Sequence, residues 1–160
     1  MKQLWETAQT HNIDVFYGSI PHCRSLSLPD HICLDYSLLF DNADSRVCFA
    51  HEIGHCVTGS FYNRYTPLDV RQKHENRADR WAVQKLIPVD ALDDAVANGY
   101  TTLWELAEFF GVTEDFMRKA VCLHTYGNIA EKIYFCLLYT SRFMARRGVI
   151  DPLYSLASAL

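Results

Sequence analysis

The sequence predicts an α+β protein that is mostly helical, with a small antiparallel sheet near its N-terminus. Short β-like runs broken by glycine and proline fill residues 15–35, and signals that begin and end helices follow from Asn42 onward. No internal repeat, low-complexity tract or linker interrupts the 160 residues, of which 49% are apolar and 21% charged. A chain of this length buries a substantial core. We therefore expect residues 1–160 to form a single domain, with the sheet and the main helices in about 1–97 and a further helical part in 98–160.

The first elements are short. Residues 3–11 predict one helix with Leu4, Trp5 and Ala8 on its apolar side. Three β-like runs follow, VFYG, CRSLSL and HICLD, separated by Gly18, Pro21 and the pair Pro29-Asp30. Strands joined by such turn residues predict a small antiparallel meander.

Two longer helices are expected next. Asn42 is a suitable N-cap for a helix that runs to about Thr58. Asp69 with Gln72 three residues later resembles a capping box, which predicts that the second helix begins there and ends before Pro88. These two helices carry the candidate metal ligands and the candidate catalytic base.

The remaining chain predicts three more helices. Thr102 with Glu105 repeats the capping-box signature, and Gly111 and Thr113 separate two short helices. A last helix is expected over about residues 128–147, ended by a glycine.

The segment CFAHEIGHCV, residues 48–57, contains the most informative pattern. Residues four apart lie about 40° apart around a helix, so His51 and His55 can point their rings at one metal ion while Glu52 stands beside it. Two histidine ligands with a neighbouring carboxylate base are typical of zinc hydrolases. The surrounding residues are small or apolar, which predicts a buried helix where such polar side chains need a partner.

A catalytic zinc needs a third protein ligand. The extension HExxHxxGxxH is excluded, because Thr58 and Phe61 stand where it requires glycine and histidine. The other common solution is a carboxylate on a second helix, and Glu75 follows twenty residues after His55.

Asp79 helps to choose between two candidates for that third ligand. Asp79 lies one turn after Glu75 on the same helix face, where it can accept a hydrogen bond from the outer nitrogen of a ligand histidine. His74 is the competing candidate for the third ligand, but it lies about 100° around the helix from Glu75, so the two side chains cannot both face the metal. Glu75 is favoured because only its register places Asp79 on the same face.

These motifs resemble those of the ImmA/IrrE family of small metallopeptidases. The match is carried by AHEIGH at 50–55, ENRADRWA at 75–82 and LIP at 86–88, with the order of HExxH and ExxxD similar to the thermolysin arrangement. It runs from about Asp35 to Val121. The resemblance implies a zincin-like fold, with a helix-turn-helix-like part at its C-terminal end. It also implies three zinc ligands and a general base, namely His51, His55 and Glu75, and Glu52.

The resemblance further implies that the protein cuts another protein inside the cell. The expected substrate is a helix-turn-helix transcriptional repressor, often one of a phage or mobile element, and the expected reaction is water-mediated peptide hydrolysis. Such a reaction needs a donor to the oxyanion besides the metal. Five residues are open candidates for that donor: Tyr62, Tyr65, His22, His124 and Tyr126. The alternative function is a non-catalytic zinc-binding regulator that binds a repressor or DNA.

Binding to DNA or to a membrane is not expected. The helix-turn-helix-like stretch of residues 101–121 begins its second helix with Thr113, Glu114 and Asp115, whose charges disfavour phosphate. A net charge of −4 gives no overall attraction to nucleic acid. The N-terminus lacks a signal-peptide pattern and no long apolar run occurs, so a cytoplasmic location is expected.

Overall fold

The computed structural model describes residues 1–127 and 129, and it confirms the α+β class. The chain divides into two compact units, Met1–Leu86 and Ile87–Leu160. The first unit holds α1 (Lys2–Thr10), β1 (Asp14–Tyr17), β2 (Ser25–Leu28), β3 (His31–Leu34), a 3-10 turn (Tyr36–Leu38), α2 (Ala43–Thr58) and α3 (Leu68–Leu86). The second holds α4 (Val89–Ala97), α5 (Leu103–Phe110) and α6 (Glu114–Tyr126). The single-domain organisation stays a prediction.

The sheet is mixed, so the antiparallel meander was a wrong prediction in part. Its strand order is β1-β3-β2: β2 and β3 are antiparallel, whereas β1 pairs parallel with β3. Residues 29–30 make a tight turn that forces β2 and β3 to be antiparallel. Residues 18–24, between β1 and β2, are long enough to carry the chain past β3. This places β2 at an edge of the sheet.

The core of the first unit lies between the sheet, α1 and α2. Ile32 and Leu34 of β3 face inward and are almost fully buried, as are Phe49 and Ile53 of α2. The Trp5 ring of α1 packs on Phe49 with 4.9 Å between ring centroids. Burial of this size holds α2 firmly against the sheet, so the side chains of its HEIGH segment have fixed positions.

The beginning of α3 differs from the prediction. The first backbone bond of this helix runs from Arg71 N–H to the carbonyl oxygen of Pro67, so Asp69 lies inside the first turn and does not cap it. Proline is tolerated at this position because the N–H group that it lacks would have no partner within the helix. Asp69 instead lies 3.8 Å from Lys73 one turn later.

The second unit contains the predicted helix pair. Thr102 and Glu105 form the predicted capping box at the start of α5, and Gly111 ends the helix in the left-handed conformation. Thr113 caps α6 by accepting the Phe116 N–H. Four apolar residues of the pair are buried: Leu106, Phe110, Val112 and Met117. Two packed helices with a short turn result, as the sequence predicts.

The last helix, expected over residues 128–147, lies outside the described residues. Among the helices that the structure does describe, none has the length and apolar character needed to cross a membrane.

Candidate metal centre

Two histidines of α2 converge on one point. The Nε2 atoms of His51 and His55 lie 3.0 Å apart, one helical turn from each other. The helix that carries them begins at Asn42, whose side chain accepts the Ser45 N–H as predicted, and ends at Gly59 with φ 61°. His55 is only 5% exposed. The pair is therefore held by a capped and buried helix.

Helix α3 supplies the third side chain. The carboxylate oxygens of Glu75 lie 3.2 Å from His51 Nε2 and 3.5 Å from His55 Nε2. One candidate ligand atom from each of the three residues lies within 4.8 Å of the others. In the described part of the chain, this is the group of His, Cys, Asp or Glu side chains that is arranged to hold a metal ion. The structure thus brings together the three ligands predicted from the sequence.

The close approach of α2 and α3 depends on Gly54. A Cβ atom at this position would lie 2.6 Å from the Ala78 carbonyl oxygen and 3.0 Å from the Ala78 Cα. No side chain fits there, so two backbones meet where a larger residue would separate them. Because Ala78 follows Glu75 by three residues on α3, this contact sets how far the Glu75 side chain must reach.

Each histidine is oriented by a hydrogen bond from its outer nitrogen. His51 Nδ1 donates to Asp79 Oδ1 at 2.8 Å, the contact that the sequence predicts for Asp79. His55 Nδ1 donates to the Ser60 carbonyl oxygen at 2.6 Å, just beyond the end of α2. Such bonds fix the ring and the tautomer and leave Nε2 free for a metal.

The charges at this point fit a divalent cation. A carbonyl oxygen only accepts, so His55 Nδ1 carries the ring hydrogen and its Nε2 presents a lone pair. That lone pair lies close to His51 Nε2 and to Glu75 Oε1, which is unfavourable unless a proton or a cation lies among these atoms. Histidine nitrogens with one carboxylate are the donor set of catalytic zinc sites. His51, His55 and Glu75 would hold the ion.

Without a metal ion, a proton on His51 offsets the unfavourable contacts among these nitrogen and oxygen atoms. Burial by itself lowers the pKa of His51, but hydrogen bonds to Asp79 and Glu75 outweigh burial and raise this pKa to about 10. Burial likewise raises the pKa of Glu75, but the interaction with His51, followed by those with His55 and Tyr62, outweighs burial and holds this pKa well below its usual range. The site therefore favours positive charge beside a carboxylate.

Tyr62 lies next to the third ligand. Its hydroxyl lowers the pKa of the Glu75 carboxyl, and its ring lies 6.1 Å from the His55 ring. Burial, followed by the Glu75 carboxylate, raises the pKa of Tyr62 to about 12, so the hydroxyl keeps its proton at neutral pH. A neutral phenol that lines the cleft can donate a hydrogen bond to a group bound there.

Glu52 faces the sheet from α2 and opens onto a cleft. It is 6% exposed, and one of its carboxylate oxygens accepts a hydrogen bond from the Ser25 hydroxyl at 2.7 Å. The cleft has a volume of about 290 Å³. Residues of β2, α2, α3 and the segment after α2 line it: Ser25, Leu26, Ser27, His51, Glu52, His55, Ser60, Phe61, Tyr62 and Glu75. The predicted base and the predicted ligands thus share one opening.

One of the other candidates lines this cleft. His74, the competing third ligand, lies outside the group of three, and its ring is 6.4 Å from the Tyr62 ring. Of the five candidate oxyanion donors, Tyr62 lines the cleft. His124 is bonded to the Ile87 carbonyl oxygen in the second unit, and Tyr65 is 78% exposed beside Arg64. Tyr62 is therefore the candidate best placed to donate to a substrate.

A comparison with protein families agrees with this geometry. The model of the peptidase M78 family, described as the IrrE N-terminal-like domain, matches residues 8–121. The chain belongs to this family. The M78 match contains both histidines of HEIGH, the glutamate between them and Glu75, and it supports a metallopeptidase-like function. No curated protein matches the chain.

Two contacts of this M78 site were not predicted from the sequence. Ser25 reaches Glu52 across 27 positions of the chain, and Ser60 reaches His55 across five. The sequence contains one indication of the contact between Ser25 and Glu52, because serines and leucines alternate in CRSLSL. Alternation is usually interpreted with leucine inward, but here Leu26 and Leu28 are about half exposed and the serines face α2.

Proposed function

We propose that this protein is a zinc-dependent endopeptidase that cleaves a regulatory protein by water-mediated hydrolysis of a peptide bond. The observation that carries the proposal is the combination of three converging ligands with Glu52 at the same cleft. A structural metal site needs no such carboxylate and usually closes its fourth position with cysteine or histidine. Zinc is proposed because two histidines and a glutamate are its usual catalytic ligands.

The edge of β2 supports binding of an extended substrate. Asp35 N–H donates to the Arg24 carbonyl oxygen, so Arg24 and alternate residues after it point their backbone groups toward β3. The backbone groups of Ser25 and Ser27 therefore point away from β3, at the outer edge of β2, which borders the cleft and pairs with no further strand among the described residues. We call this the free edge of β2. A substrate segment would add to this edge as a strand. The cleaved segment must then be extended, as in a linker between domains.

The residues have distinct parts in the proposed reaction. When bound, zinc would polarise the scissile carbonyl group and make a water molecule more acidic. Glu52 accepts the proton from the attacking water and delivers it to the leaving amine. Tyr62, which keeps its proton, donates a hydrogen bond to the carbonyl oxygen as negative charge develops there.

We further propose that the substrate is a helix-turn-helix repressor of a phage or mobile element and that the protein acts in the cytoplasm. Both follow from what the family resemblance implies. DNA is not proposed as a partner, because Arg118 of α6 lies 2.6 Å from Asp115 and 3.7 Å from Glu114. Those carboxylates compete with phosphate for its charge.

Glu52→Gln is the test of this function. The variant should keep about one zinc per chain by mass spectrometry and should cleave a helix-turn-helix repressor about 10²- to 10⁴-fold more slowly, because the proton acceptor is lost. Glu108→Gln, the same change at an exposed position of α5, is the matched control. Undiminished cleavage by Glu52→Gln would contradict the proposal. Zinc and repressor binding with no cleavage by the wild type would favour the non-catalytic regulator.

A further inference from the structure

We propose that Ser25 is a positioning residue that holds Glu52 in the orientation of a general base. The inference rests on the proposed function, since it assigns Glu52 that role. Its basis is the hydrogen bond from Ser25 Oγ to Glu52 Oε1 at 2.7 Å, which joins the edge strand to the helix of the HEIGH segment.

Glu52 needs such a contact because its environment supplies few others. The side chain is 6% exposed, and Phe49 and Ile53 of the same helix are fully buried. Within the described residues, the Ser25 hydroxyl provides the hydrogen bond that the Glu52 carboxylate receives. Hydrogen bonds to a charged group are stronger and more directional than neutral ones. This bond therefore selects one rotamer of Glu52 and leaves its second oxygen to accept a proton.

The sheet places Ser25 for this purpose. Ser25 lies opposite Leu34 of β3, which is 1% exposed, so the position of its strand is fixed by packing against the core. Its side chain points toward α2, while its backbone groups point to the free edge of β2. One residue thus contacts the base through its hydroxyl and borders the proposed path of the substrate through its main chain. A substrate strand at this edge would restrict Ser25 and, through it, Glu52.

A double-mutant cycle on zinc-loaded protein tests the contact without a known substrate. The probe is acetohydroxamate, which chelates a metal through its oxygens and offers a proton to a neighbouring carboxylate. Its Kd is measured by calorimetry for the wild type, Ser25→Ala, Glu52→Gln and the double variant. Ser25→Thr keeps the hydroxyl, and Ser19→Ala makes the same change on an exposed loop residue before β2. Zinc content and thermal melting are recorded for every variant.

Ser25→Ala should weaken acetohydroxamate binding about tenfold, as expected for loss of a hydrogen bond to a charged group. The loss should vanish in the Glu52→Gln background, because Glu52 transmits it. Ser25→Thr should bind like the wild type, as should Ser19→Ala, and all variants should keep zinc.

The proposal is overturned by equal losses in both backgrounds, or by acetohydroxamate that binds the wild type no better than Glu52→Gln. With a cleavable repressor, Ser25→Ala should lower kcat about tenfold and change KM little. A cycle that shows coupling although no repressor is cut would reject the proposed function and leave the positioning role intact.

Discussion

At the scale of single residues, the two histidines of the site are held by different means. The outer nitrogen of His55 is bonded to a carbonyl oxygen five residues away, whereas that of His51 is bonded to a carboxylate on another helix. A carboxylate partner makes an imidazole a stronger base and a stronger metal ligand. Asp79 therefore contributes to the site without belonging to the group of three.

Asp79→Asn tests this contribution. The variant keeps the size of the side chain but loses the negative charge that faces His51, so zinc affinity should fall about 10- to 100-fold. Competition with a fluorescent zinc chelator measures the change. Asp69→Asn, on the exposed first turn of the same helix, should bind zinc like the wild type. An unchanged affinity in Asp79→Asn would show that the bond to His51 has no effect on the metal.

At the scale of elements, the crossing of α2 and α3 determines the site. Gly54→Ala should force the helices apart, since the added methyl group would meet the Ala78 backbone at 2.6 Å. In an open helix the change would stabilise by about 1 kcal/mol, but here overpacking should cost about 1–3 kcal/mol. Zinc affinity should fall as well, because Glu75 moves with α3.

Denaturant unfolding and zinc titration measure both effects of Gly54→Ala. Gly18→Ala is the control, since its nearest neighbour would be the Cys33 sulfur at an ordinary 3.5 Å. A Gly54→Ala protein that is more stable than the wild type and binds zinc equally well would show that the two backbones do not constrain each other.

The elements also show what the sequence can and cannot predict. Asn42 and the Thr102–Glu105 capping box were predicted correctly because a cap depends on residues three positions apart. Two of the ligands were predictable because HExxH fixes the positions of its two histidines by helix geometry alone. The third, Glu75, was predictable from its register with Asp79 on the second helix. The parallel pairing of β1 with β3 was not, because the seven residues between β1 and β2 permit either arrangement. The Ser25 contact was also missed, since it forms only after β2 has packed on α2.

At the scale of the whole molecule, the site links folding to pH. Without metal, the pKa of His51 lies at about 10, above its ordinary 6.5, so charged His51 stabilises the fold fully below pH 6.5. This stabilisation is lost as the pH rises through about 10. The pKa of Glu75 is lowered from 4.5, so its part of the same interaction is present above pH 4.5 and is lost in acid. The two shifts describe one ion pair and count once.

The Tm of metal-free protein should therefore decline between pH 6.5 and 10, while the increase in Tm caused by zinc should grow. Zinc competes with the proton on His51, so its affinity rises by up to about tenfold per pH unit where that proton is displaced. Calorimetric melts with a chelator and with excess zinc measure both trends. His51→Ala should lose the zinc-dependent trend. An increase in Tm that is the same at every pH would contradict the expected exchange of a proton for the metal.

The free edge of β2 has a consequence for the protein in concentrated solution. An edge with unpaired backbone groups can pair with the same edge of a second molecule, and the half-exposed Leu26 and Leu28 favour such an association. Two molecules joined in this way would each cover the other's cleft. A strand of four residues offers few hydrogen bonds for this pairing, so dilution should separate the molecules. Concentration would then regulate access to the cleft before any partner does.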